Sequence, residues 1–146
     1  MLALVFVAIE MFWVPYQREK RAEAYVKNLG GRTKWSYCGP AWIPKSMHPR
    51  LPVLWSVTQV NFDADDITTL ATPTPREPEA RLNAIDMFPR IAVLDLGGDD
   101  VTDAELIRLE QLRTLIILDL SDTKTTVEGR NRLRKALPRC RIVPDP

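Results

Sequence analysis

From Leu82 onward, apolar residues return at a fixed interval. Leu82, Ile85, Phe88, Ile91, Leu94 and Leu96 fall on Leu106, Leu109, Leu112, Leu115, Leu118 and Leu120 after a shift of 24 positions. The shift carries Leu109 to Leu133, and the pattern closes on Leu137, Cys140 and Ile142 in a shortened register. Upstream, Val57, Val60, Phe62 and Ile67 keep the spacing of Ile91, Leu94, Leu96 and Val101. Leu94 with Leu96, and Leu118 with Leu120, show the period of two that belongs to a strand, whereas Leu106 and Leu109 show helical spacing. Each unit therefore predicts a short strand with two inward side chains, a turn, and a helix returning the chain beside the previous strand. One unit is half a core, so neighbours must stack and the open ends must be covered. Three strands and a terminal stub are expected.

Thr102 with Glu105 and Thr125 with Glu128 both spell a capping box, in which hydroxyl and carboxylate satisfy exposed amide donors reciprocally. Pro78 suits the first turn of a helix through Leu82, Ile85 and Phe88. The interval is interrupted once: Phe62 to Leu96 is 34 positions, and the excess coincides with Ala71-Thr72-Pro73-Thr74-Pro75-Arg76-Glu77-Pro78. So many prolines exclude helix and predict an extended surface loop, either a tolerated insertion or a partner-binding loop.

The front of the chain differs. Met1 to Tyr16, MLALVFVAIEMFWVPY, is apolar except for Glu10 and runs into Gln17-Arg18-Glu19-Lys20-Arg21. A bilayer span takes roughly 20 residues, so the segment is a short membrane anchor or a buried helix. If it spans, Arg18, Lys20 and Arg21 favour a cytoplasmic domain after it, with a soluble cytoplasmic protein as the alternative. Arg21 to Leu29 places Ala22, Tyr25, Val26 and Leu29 on one helical face and stops at Gly30-Gly31. Thr33, Trp35 and Tyr37 then alternate with Lys34 and Ser36 as a short strand, before Pro40, Pro44, Pro49 and Pro52 break regular structure. Trp42, Ile43, Leu51 and Trp55 are expected to cap the first unit; an aromatic ligand platform is the alternative. The organisation is an apolar segment at 1–16, a helical stalk at 17–31, a cap with an aromatic strand at 32–55, and the repeating units at 56–146 with the proline-rich insertion at 71–78.

The stretches LDLGGDDVTDAELIRLEQL and LDLSDTKTTVEGRNRLRKALPRCRI resemble leucine-rich repeats, in the form found in short membrane-anchored proteins of planctomycete-type bacteria. The resemblance covers Leu54 to Ile142, and the arrangement ahead of it is also similar. Three positions depart from the pattern: Asp99 where Thr or Asn is preferred, Val127 where the preceding unit has Asp103, and Arg130 opposite Leu106. The resemblance implies an α/β leucine-rich-repeat solenoid, with a short parallel sheet, helices on the convex side and a helix in front. It further implies a scaffold for protein interaction.

Chemistry narrows the functional classes. Lys and Arg total 20 against 19 for Asp and Glu, so a net charge of +1 provides no global attraction to nucleic acid or anionic membrane. Cys38 and Cys140 stand about a hundred positions apart, and His48 is the one histidine, which disfavours metal knuckles, redox pairs and acid–base dyads. No enzyme, no cofactor and no metal site is expected. Asp63, Asp65, Asp66 and Asp99, Asp100, Asp103 lack the glycine and distal glutamate of an EF-hand and suit loop amides. On the concave side, strand alternation displays Gln59, Asn61 and Asp63, then Val93 and Asp95, then Ile117 and Asp119. A central column of Asn61, Asp95, Asp119 and Arg141 is expected, with the paired carboxylates either screened or offered to a basic group of a partner. Arg130, Arg132, Arg134, Lys135, Arg139 and Arg141 form a basic run that reads as a solvated helix face, or as a lipid- or nucleic-acid-binding module. An unidentified protein at the concave face is the expected partner, with a membrane possible through Met1 to Tyr16; nucleic acid and small-molecule substrates are not expected.

Overall fold

A computed structural model describes residues 13–51, 54–62, 78–98 and 100–144. The chain is a mixed α/β protein built on a five-stranded sheet in the order β1 to β5: β1 (Arg32–Tyr37), β2 (Trp55–Asn61), β3 (Val93–Asp95), β4 (Ile117–Asp119) and β5 (Arg141–Val143). β1 is antiparallel to β2, and the other neighbouring pairs are parallel. Helices α1 (Val14–Asn28), α2 (Pro78–Ile85), α3 (Asp103–Leu109) and α4 (Val127–Ala136) pack in sequence order, each against the next, and a 3-10 helix spans Lys45–Arg50.

The leucine rows form the core. Leu94, Leu118 and Ile142 pair across β3, β4 and β5 and are buried with Leu82, Leu106, Leu109 and Leu133 from the helices. Apolar side chains fill the space between sheet and helices, and the alternate strand positions are left on the opposite face, which is helix-free among the described residues. The expected stub is a full strand: Val93, Ile117 and Arg141 are direct neighbours, so the shift of 24 holds to the end of the sheet. The proline-rich stretch at 71–77, Ile67 and the cluster Asp63, Asp65, Asp66 lie outside the described residues.

The front departs from the sequence expectation at two points. α1 runs through the boundary proposed at 16/17 and is no free-standing stalk: Glu19, Ala22, Val26 and Leu29 are buried against the sheet. It ends as the double glycine requires, with Gly30 at φ 78° and amides of Gly30 and Gly31 donating to the carbonyls of Lys27 and Val26. Trp42 caps nothing, being 81% exposed. The first parallel strand is instead sealed by β1 along its edge and by α1 over its inner face, because edge amides need a partner that an isolated indole cannot supply.

Helix starts are correct once and displaced once. Thr102 and Glu105 form the expected capping box. At α4 the cap is Thr126, whose hydroxyl accepts from the Gly129 amide, and not Thr125, which is buried with its hydroxyl against Thr123 and Arg130. The third helical position is thus Gly129, which has no carboxylate to return to the cap. Asp103 of α3 supplies it, accepting from the Thr126 amide at 2.8 Å and its hydroxyl at 2.6 Å. These bonds hold the Asp103 carboxyl below its ordinary range. A Cβ on Gly129 would collide with that carboxylate.

Candidate functional site: the open face of the sheet

The helix-free face carries two rows. Lys34, Gln59, Val93, Ile117 and Arg141 form the first, and Arg32, Asn61, Asp95, Asp119 and Val143 the second. Strands lie about 4.8 Å apart, so each row spans roughly 19 Å. The first row has cations at both ends and an apolar centre in which Ile117 is 41% exposed.

Register corrects the expected column. Gln59, Asn61, Val93, Asp95, Ile117 and Asp119 all share this face, as alternation requires. Arg141 does not stand beside Asp119: its neighbour is Ile117, and Val143 continues the acidic row. The cause is the shift of 24, which carries position 117 and not 119 onto 141. Asp63 lies outside the described residues.

The two carboxylates are not a bare repelling pair. Asp95 Oδ1 accepts from the Gly97 amide at 3.0 Å, and Asp119 Oδ1 accepts from the Ser121 amide at 2.8 Å. Each aspartate thereby ties the loop that leaves its own strand, a use to which short acidic side chains are suited.

The basic run is also dispersed by the fold. Arg130 donates to Thr125, Arg132 pairs with Glu110 at 3.1 Å, and Arg134 reaches the carbonyls of Ile142 and Pro144. Arg139 lies instead in the turn before β5, and Arg141 on the open face. Among the described residues no group of three or more His, Cys, Asp or Glu is placed to hold a metal ion.

Sequence reasoning missed a buried carboxyl. β1 and β2 shift register between Lys34 and Trp35, leaving Thr58 as an extra residue in β2, a β-bulge. Glu19, 4% exposed, reaches into this break and accepts from the Val57 amide at 2.7 Å and the Ser56 hydroxyl at 2.8 Å. Burial pushes its carboxyl above the usual glutamate range despite these bonds and the nearby Arg90 charge. Glu19 also forms part of the floor of a cavity of about 450 Å³, whose walls include Pro15, Ile43, Leu54 and Pro89, with Cys38 and Arg90 also lining it. The Cys38 thiol is turned onto the Ser36 carbonyl at 3.5 Å. The signal was present in the helix: Glu19 precedes Ala22, Val26 and Leu29 at the spacing of one apolar stripe.

Set against models of known protein families, against curated proteins and against solved structures, the chain matches none of them.

Proposed function

We propose that this chain is a short leucine-rich-repeat solenoid acting as a non-catalytic scaffold. Its open face, Gln59, Asn61, Val93, Asp95, Ile117, Asp119 and Arg141, docks a partner protein, and Met1 to Tyr16 holds it at a membrane with the domain on the cytoplasmic side. The repeat reading is supported by residue-for-residue pairing of positions 24 apart and by α3 and α4 starting 24 apart. Docking rests chiefly on one observation, the uncovered strip in which exposed Ile117 lies between Val93 and Arg141. A flat apolar centre with charged ends suits a protein surface, whose central anchors are desolvated while the polar rim sets orientation. The acidic row is busy with its own loops, which favours binding over chemistry.

The test is a photocrosslinking residue at position 117 in the native cell, with the same residue at position 107, half-exposed on α3, as control. A discrete protein adduct at 117, absent at 107 and removed by Val93→Lys, is the expected result. Adducts equal at both positions, or none at 117, would overturn the docking role.

A further inference from the structure

The loops that enter the parallel strands gather at one end of the sheet, and the start of α1 lies there too, with Tyr16 5.7 Å from Trp35 and Pro15 sharing a cavity with Pro40 and Arg90. Residues 38–54, 86–92, 110–116 and 137–140 contain two carboxylates, Asp86 and Glu110, paired with Arg108 and Arg132 respectively. The same loops carry Lys45, Arg50, Arg90, Arg113 and Arg139, all exposed. Where the strands leave, the described residues include Asp95, Asp100, Asp103, Glu105, Asp119, Asp122 and Glu128, set against Lys27, Arg32, Lys124 and Arg130. A net charge of +1 thus conceals a molecule with a basic and an acidic end.

The basic end also exposes large apolar side chains: Trp13, Val14, Trp42 and Met47. Trp42 stands in a tight turn closed by the Ile43 amide on the Pro40 carbonyl at 3.2 Å. Beneath it the loop is braced: Tyr37 stacks on His48 at 3.5 Å, His48 Nε2 bonds the Ile43 carbonyl at 3.0 Å, and Trp55 Nε1 donates to the His48 carbonyl at 3.0 Å. Such bracing fixes an exposed indole in place with nothing among the described residues to bury it.

We propose that this end of the sheet is a membrane-facing surface, on which Lys45, Arg50, Arg90, Arg113 and Arg139 engage anionic phospholipid headgroups while Trp42 and Met47 enter the interfacial layer. Tryptophan settles at the headgroup level because its ring is apolar and its N–H is not, and each nearby cation adds to attraction for an anionic leaflet. Nucleic acid would answer the cations, but Val14 and Met47 beside them match an acyl boundary and have nothing to offer phosphate or a stacked base. Residues 1–12, apolar but for Glu10, directly precede Trp13, which lies at this same end. The proposal does not depend on what the open face binds.

Full-length protein mixed with vesicles of phosphatidylcholine, or of phosphatidylcholine with 30% phosphatidylglycerol, separates the two membrane contributions. Insertion of the apolar run, with Arg18, Lys20 and Arg21 behind it, is common to wild type and variants, so a loss on reversing distant cations reports the folded end. We expect at least about tenfold tighter binding to the anionic vesicles at low salt, abolished by Arg113→Glu with Arg139→Glu, both far in sequence from the apolar run. Quenching of tryptophan emission by brominated lipid should fall in Trp42→Phe. Melting temperatures unchanged in these exposed-site variants confirm that the fold is kept. Equal affinity for both vesicles, a preference that survives charge reversal, or charge-dependent binding of single-stranded RNA without binding of anionic vesicles would overturn the proposal.

Discussion

Glu19 shows how one side chain can be both a cost and a requirement. A carboxylate taken out of water loses hydration, yet here it accepts from a backbone amide at the bulge and from the hydroxyl beside it. Because burial raises its pKa, the folded state holds the proton more tightly than the unfolded chain. The stability associated with that shift is complete below the ordinary glutamate value of about 4.3 and is lost as pH rises through the folded value. Glu19→Gln keeps an oxygen for the Val57 amide, so the variant should gain on the wild type as pH climbs from about 4 to 8 in urea unfolding. Parallel curves would mean that folding leaves this carboxyl unperturbed. Glu19→Leu strands the two donors and should cost about 1–3 kcal/mol. Asp95 and Asp119 carry a related lesson: alanine there would loosen a loop before it tested any partner.

At the scale of elements, α3 and α4 share a cap. Asp103 completes the box that Gly129 cannot, and Gly129 is small so that Asp103 can approach. This predicts a reversal of sign. Gly129→Ala in the wild type should destabilise, since the new methyl displaces the carboxylate and forfeits a cap worth about 1 kcal/mol. In an Asp103→Ala background the same substitution should stabilise by up to about 1 kcal/mol, because alanine is the better helix former. A double-mutant cycle by thermal or urea unfolding measures the coupling; additivity within about 0.3 kcal/mol would rule the shared cap out. Asp103 bonds only above its depressed pKa, so its stabilisation is full above the ordinary aspartate value and is lost as pH falls through the folded one. The two adjacent threonines explain why the α4 cap was misplaced in sequence: Thr125 and Thr126 both qualify, and only the burial of the first decides between them.

For the whole molecule, the central parallel strands should matter most. Leu118 of β4 has a paired neighbour on each side, Leu94 and Ile142, whereas Ile142 lies in the edge strand. Leu118→Ala should cost about 2–5 kcal/mol in urea unfolding, with Ile142→Ala costing less. Equal costs would mean that the edge is as tightly enclosed as the centre.

Apolar spacing was enough to place the strands of Leu94 and Leu118 and the alternation that puts Gln59, Val93 and Ile117 on one face, and local capping chemistry placed the start of α3 and the stop at Gly30. Those features follow from local rules of spacing and hydrogen-bonding chemistry. Tertiary structure alone decided which row receives Arg141, that α1 and β1 and not Trp42 seal the front, that Glu19 is buried in a bulge, and that charges sort to opposite ends. Those depend on register between strands and on which backbone groups a neighbour leaves unsatisfied, quantities that no single segment carries.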